Sequence, residues 1–172
     1  METLDFNSTL LRLVPHEIDN GYRFYVSDDG TIGLRISPNG VKAVTKAQTT
    51  TWPNSKNPTD AKRKQRYLLF RHAWGYDDGI LVSHAVYLAW VGLIDKPCID
   101  HKNGITTDNR WQNLEPVTYA ENSRRTKVLN GLRYLGINPA ELSFDVLDHY
   151  LDPKNQSDPH ELSDREISRH HE

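Results

Sequence analysis

The alternation of apolar and polar positions divides the chain into short extended runs and three helical stretches, joined by turns rich in Gly, Asp, Asn and Pro. Tyr22-Arg23-Phe24-Tyr25-Val26 and Thr31-Ile32-Gly33-Leu34-Arg35-Ile36 flank Asp28-Asp29-Gly30, a pattern that predicts a β-hairpin. Residues 53–60 carry two prolines and no usable period, and read as a surface segment. Residues 66–71 and 80–82 read as strands on either side of Asp77-Asp78-Gly79. From residue 83 to residue 91 the period lengthens. Val86, Tyr87, Trp90 and Val91 recur at spacings of three and four, predicting a helix with one buried stripe that Gly92 weakens or ends.

Cys98-Ile99-Asp100-His101 follows Pro97 as a strand candidate, and Leu114-Glu115-Pro116-Val117-Thr118 reads as its returning partner. Between them, Lys102-Asn103-Gly104 and Thr107-Asp108-Asn109 supply the small polar residues of a tight excursion. Pro116 has no amide donor, so its strand should expose an edge there. Thr118 and Glu121 have capping-box spacing, which starts a helix and puts Asn122 in its first turn. Near the C terminus Asn138 as cap, Pro139 at the first helical position and Glu141 predict a further helix. Its apolar side, made of Leu142, Val146, Leu147, Tyr150 and Leu151, is placed to close a core.

Composition narrows the classes. With 172 residues, 37% hydrophobic and 26% charged, the chain has the makings of a folded unit with extensions and not of a disordered or membrane protein. No apolar run approaches the roughly 20 residues that cross a bilayer. The first residues lack the basic start and apolar stretch of a secretory signal, so the expected location is intracellular and cytoplasmic. Cys98 is the single cysteine, which excludes an internal disulfide and any zinc site of two or more thiolates.

The formal net charge of -2 hides a strong asymmetry. Residues 46–71 hold seven Lys or Arg, among them Lys62, Arg63 and Lys64, against one Asp, a formal +6. Residues 141–172 hold nine acids against three bases, a formal -6. The basic run serves either as a face for nucleic-acid phosphates or as a solvated loop, while the acidic end stays in solvent or limits non-specific binding.

Candidate chemistry lies at the end of the first strand of the later pair. Two short strands joined by a loop bring that end near the start of the following helix. There the Asp100 carboxylate and the Asn122 side-chain oxygen can share one hard cation, with His101 beside them and Asn113 in the same constellation. Magnesium favours oxygen ligands and retains waters, so two protein ligands suffice. Adjacent strand residues point to opposite faces, however, so Asp100 and His101 serve one site only if the strand bends or ends there.

The stretch from Val82 to Asn122 resembles the HNH nucleases of the phage and homing-endonuclease type. Ser83-His84-Ala85-Val86-Tyr87-Leu88-Ala89-Trp90 looks like the histidine-led helix that precedes their motif. Asp100-His101-Lys102-Asn103-Gly104, Asp108-Asn109-Arg110-Trp111-Gln112-Asn113-Leu114 and Thr118-Tyr119-Ala120-Glu121-Asn122 are similar to its three elements in turn. The intervals are 12 residues from His101 to Asn113 and nine from Asn113 to Asn122.

This resemblance implies an α+β fold with a small ββα-metal (HNH) catalytic unit, an N-terminal β-hairpin region and a C-terminal helical extension. The expected division is a β-rich basic region at 1–75, a nuclease core with its preceding helix at 76–131, and a helical acidic extension at 132–172. The resemblance further implies that His101 is the general base, that Asp100 and Asn122 bind a divalent metal (Mg2+, with Mn2+ the alternative), and that Asn113, counted with His101 among the catalytic residues, is the central asparagine that ties the loop to the scaffold and helps position the histidine. The implied activity is hydrolysis of double-stranded DNA leaving 5′-phosphate and 3′-hydroxyl ends, by a monomer or homodimer without membrane association, in the host cytoplasm if the protein is phage-encoded. Arg110, Arg124, Arg125 and Lys127, within or just after the motif, are candidate contacts to the DNA backbone or else solvated bases. The alternative function is a non-catalytic DNA-binding or packaging-associated protein on the same scaffold.

Overall fold

The computed structural model describes residues 2–15, 21–45, 48–50, 64–71 and 77–155. Among them ten strands and three α-helices form an α+β arrangement. Strands β1 (Thr3–Phe6), β2 (Thr9–Leu13), β3 (Arg23–Val26), β4 (Gly33–Ile36) and β5 (Lys42–Thr45) make an antiparallel sheet in sequential order. The expected hairpin is β3–β4, with Val26 opposite Gly33. Both faces of β3 are covered, which accounts for the aromatic density of residues 22–26. Tyr25 joins Leu11 and Leu34 on one side, whereas Phe24 and Val26 join Val14 on the other, as a period of two requires.

The Phe24 side packs against α1 (Val82–Trp90). Val82, Ala85, Val86 and Ala89 form the buried stripe, and Leu114 completes that core from the later hairpin. Val91 does not belong to the stripe as the periodicity suggested. The helical ladder stops at Trp90, where the N–H groups of Val91 and Gly92 both bond the Tyr87 carbonyl at 2.9 and 3.0 Å, and Val91 is left exposed. Trp90 fastens the helix to the sheet, because its indole N–H donates to the Val26 carbonyl at 3.1 Å and the Arg12 guanidinium lies 4.2 Å over its ring.

β6 (Gln48–Thr50), β7 (Lys64–Arg71) and β8 (Asp77–Leu81) make a second antiparallel sheet. Asp77-Asp78-Gly79 lies within β8 and not in a turn, because β7 is long enough to pair Arg71 with Asp77 and Phe70 with Asp78. Val82 opens α1 instead of closing that strand. The segment 53–60, with Lys62 and Arg63, lies outside the described residues.

β9 (Cys98–His101) and β10 (Leu114–Val117) form a two-stranded antiparallel sheet, in which each strand has an open edge that tolerates Pro116. α2 (Tyr119–Tyr134) follows directly. Its capping box is complete: the Glu121 N–H donates to Thr118 Oγ1 at 3.2 Å, and the Thr118 N–H donates to Glu121 Oε2 at 2.7 Å. These bonds to Thr118, with Lys96 beside them, hold the Glu121 carboxyl down to about 2.

The single helix expected from Asn138 onward is two elements. Asn138 caps only a 3-10 turn, Pro139–Glu141, after which Leu142 returns to extended backbone at ψ 146°. Ser143 then accepts from the Val146 N–H at 3.4 Å and starts α3 (Phe144–Leu151). Two competing caps five residues apart divide the run, and Val146 consequently faces solvent while Leu147 and Leu151 pack on Leu129 and Leu132 of α2. Among the described residues no helix is long and apolar enough to cross a membrane.

Gly30, in the β3–β4 turn, lies close against α1. Its φ is +72°, and a Cβ there would lie 2.4 Å from Val82 Cγ1 and 3.0 Å from Val86 Cγ2. A left-handed side chain costs roughly 1–2 kcal/mol and overpacking roughly 1–3 kcal/mol. Gly30→Ala is therefore expected to lower stability by about 3 kcal/mol in denaturant unfolding, and a loss within about 0.5 kcal/mol of zero would contradict this packing.

Candidate active site

The loop between β9 and β10 is closed from inside by an amide. Asn113 is wholly buried at the end of a 3-10 turn, Trp111–Asn113, so its polar atoms need internal partners. Its Oδ1 accepts the Asn103 N–H at 3.0 Å, and its Nδ2 donates to Asn103 Oδ1 at 3.0 Å and to the Asp108 carbonyl at 2.8 Å. Its own carbonyl accepts the Lys102 N–H at 2.9 Å. Asn103 in turn donates to Asp108 Oδ2 at 2.7 Å. Hydrogen bonds from Arg110, opposed by partial burial, hold the Asp108 carboxyl below its ordinary range. Asn113 thus ties the loop to itself, and no reacting group needs to touch it.

His101 is the last residue of β9, and the turn begins at once: the Gly104 N–H donates to the His101 carbonyl at 2.8 Å. The His101 ring lies with Nε2 3.1 Å from Asn109 Oδ1, while Asn109 Nδ2 donates to the Thr107 carbonyl at 3.3 Å. That second bond requires the amide oxygen to face the ring. Nε2 is accordingly the donor, and the neutral imidazole carries its lone pair on Nδ1. Asn109 had no distinguishing signal in the sequence, where it was one of several small polar residues of the excursion.

Strand alternation holds at Asp100. It sits opposite Glu115 on the face of the hairpin away from the His101–Leu114 pair, and that face meets α2. Arg125 lies between the two carboxylates, with Nη1 3.6 Å from Asp100 Oδ2 and Nη2 2.8 Å from Glu115 Oε2. Asp100 Oδ1 accepts the His101 backbone N–H at 2.9 Å, whereas the buried Oδ2 accepts no hydrogen bond from the described residues. Burial pushes the Asp100 carboxyl up, with the Arg125 charge and the His101 N–H pulling the other way.

Asn122 is half-buried and stands three residues before Arg125 on the same face of α2. The hairpin and helix therefore bring Asp100 against the face that bears Asn122, while His101 works from the strand end toward the loop. Among the described residues no group of three or more His, Cys, Asp or Glu side chains is placed to hold a metal ion. Asp100 offers a carboxylate oxygen and Asn122 an amide oxygen, donor types that suit a hard cation, and Arg125 Nη1 already lies 3.6 Å from Asp100 Oδ2.

The basic residues expected to meet DNA divide sharply. Arg125 is only 8% exposed and committed to Asp100 and Glu115, so its burial removes it from any surface a phosphate backbone could lie on. Arg124 turns toward α3 and donates to the Leu151 carbonyl at 2.8 Å. Arg110 pairs with Asp108 at 2.7 Å and lies 5.3 Å over the Phe144 ring, though much of it remains exposed. Lys127 is exposed on α2, and Lys64 opens β7.

A family model for HNH endonucleases matches residues 81–124, which run from the end of β8 through α1 and the β9–β10 hairpin into α2. No curated protein matches the chain. Among solved structures, one described as DNA binding and cleavage by the HNH homing endonuclease I-HmuI is similar at 22% identity, covering 91% of this chain and 69% of that chain, with a TM-score of 0.39. The likeness to HNH endonucleases is carried by residues 81–124.

Proposed function

We propose that this protein hydrolyses phosphodiester bonds in double-stranded DNA, with His101 as general base and Asp100 and Asn122 as ligands of one divalent cation, Mg2+ or Mn2+. The observation that carries this reading is the buried Asp100 Oδ2, which accepts no hydrogen bond from the described residues and meets α2 at Arg125, three residues after Asn122. At the next residue, the hydrogen bond at Nε2 directs the His101 lone pair to Nδ1.

Hydrolysis of a phosphodiester needs a deprotonated water in line with the leaving group and neutralisation of charge on the phosphoryl and leaving oxygens. Neutral His101 takes the water proton at Nδ1. Nε2 stays bound to Asn109 throughout, so the ring keeps one orientation as it becomes charged. Asp100 and Asn122 would hold a divalent cation, which would supply Lewis-acid neutralisation of the charge that develops as the phosphodiester breaks. Asn113 keeps the loop shape that sets the two halves of the site. The products are a 5′-phosphate and a 3′-hydroxyl. Each chain has one such centre, so a monomer nicks one strand per encounter, and cutting both strands needs a second protomer or a second encounter. The basic segment 46–71 and the N-terminal sheet supply further contact to the duplex.

Supercoiled plasmid tests the reading directly. With Mg2+ or Mn2+ the protein is expected to convert it to open circles, and chelation, His101→Ala or Asp100→Ala should each slow conversion by about 100-fold or more. DNA binding without cutting by the unaltered protein across divalent metals would contradict the proposal and mark a non-catalytic DNA-binding module.

Binding separates the basic residues by a second measurement. Lys127→Ala should reduce the slope of log affinity against log salt by about 0.9, the value for one phosphate contact. Arg125→Ala should instead lower folding stability by about 3 kcal/mol, because it leaves a buried carboxylate uncompensated. An unchanged salt slope for Lys127→Ala would remove α2 from the DNA interface.

A further inference from the structure

Asn109 enters the chemistry above only as the hydrogen-bond partner of the His101 ring, yet it is 3% exposed and anchored on several sides. The amide is held at several points. Nδ2 donates to the Thr107 carbonyl, and the next side chain, Arg110, is clamped on Asp108 by bonds of 2.8 and 2.7 Å. On the other side the β3–β4 turn of the N-terminal sheet lies close to it. The position a Cβ would take on Gly30 is 3.3 Å from Asn109 Cβ, and the Trp111 N–H, two residues on, donates to the Asp28 carbonyl at 3.1 Å. That turn is itself locked, because Asp29 Oδ1 accepts from Ser27 Oγ at 2.7 Å, the Thr31 N–H at 2.9 Å and Thr31 Oγ1 at 2.8 Å.

We infer that Asn109 is a positioning residue for His101: its amide oxygen, seated against the β3–β4 turn of the N-terminal sheet, fixes the ring so that Nδ1 presents the lone pair to the attacking water. The inference rests on the nuclease reading above for the role of His101, but the hydrogen bond it invokes is independent of that role. A neutral amide suits the task. It accepts from Nε2 in both protonation states of the ring and adds no charge that would favour the imidazolium, whereas a carboxylate at the same place would. Only the orientation of the ring is at stake, and misplacement of a reacting group by about 1 Å costs about 100-fold in rate.

Two measurements on the full chain test this. In the first, kcat and KM for plasmid nicking are compared for the unaltered protein, Asn109→Ala and Asn109→Asp. Asn109→Ala is expected to lose about 100-fold in kcat with KM unmoved, and Asn109→Asp, which restores an acceptor oxygen, to recover a substantial part of that loss. Full kcat in Asn109→Ala, or a loss carried by KM, would overturn the inference. In the second, the His101 Nε2 proton is followed by 1H–15N NMR in metal-free protein. A slowly exchanging proton is expected in the unaltered protein and in Asn109→Asp but not in Asn109→Ala, with the backbone spectra otherwise superimposable. Its persistence in Asn109→Ala, or a general change of the spectrum, would assign Asn109 to folding alone. If the unaltered protein does not cut DNA, the nuclease reading fails while the NMR comparison still decides whether Asn109 holds the ring.

Discussion

A fully buried amide must satisfy every polar atom it carries, and the site depends on how Asn113 meets that constraint. One side chain closes the β9–β10 loop by taking the Asn103 N–H and returning bonds to Asn103 Oδ1 and the Asp108 carbonyl. An unsatisfied group there would cost about 1–3 kcal/mol, so the alternatives to this loop shape are disfavoured. Once the loop is fixed, the place where β9 stops is fixed too, and His101 must turn from strand into loop at that point. Asn109 and Asp108, both in the closed excursion, then stand where they can hold the ring and Arg110 respectively.

In the same hairpin adjacent strand residues face opposite ways. Asp100 and His101 do alternate, and each face is given its own support. Arg125 and α2 stand on the Asp100 side, while Asn109 and the N-terminal sheet stand on the His101 side. Buried ion pairs are expensive to desolvate and poor sources of stability. The Asp100–Arg125–Glu115 cluster is better understood as a means of keeping a charged carboxylate inside the protein. α1 links the halves, since one core runs from Phe24 and Val26 of the first sheet through Val86 to Leu114 of the hairpin.

What was legible in the sequence was local. The β3–β4 hairpin, α1, both strands of the later hairpin and the Thr118 capping box follow from periodicity and turn chemistry that neighbouring residues set. The spacing of Asp100, His101, Asn113 and Asn122 likewise survives in the fold as an ordered strand–loop–strand–helix. What was not legible depends on distant partners. Asn7 and Ser8 adopt φ 51° and 65° without glycine, so the β1–β2 hairpin had no Asn-Gly signature. Asp77–Gly79 look like a turn until β7 supplies a strand to pair with. Arg125 looks like a surface base until Asp100 and Glu115 are seen to meet it, and Asn109 looks like loop filler until the ring of His101 reaches it.

The central claim is that Asp100 and Asn122 form an oxygen-donor cation site one residue from a correctly oriented imidazole. Anomalous scattering from crystals soaked in Mn2+ tests it most directly. The account predicts one strong peak in coordination distance of Asp100 Oδ2 and the Asn122 side-chain oxygen, absent from Asp100→Ala crystals soaked alike. A peak held by other residues, or a soaked crystal with no peak at this pair while Arg125 keeps its contact to Asp100, would contradict it.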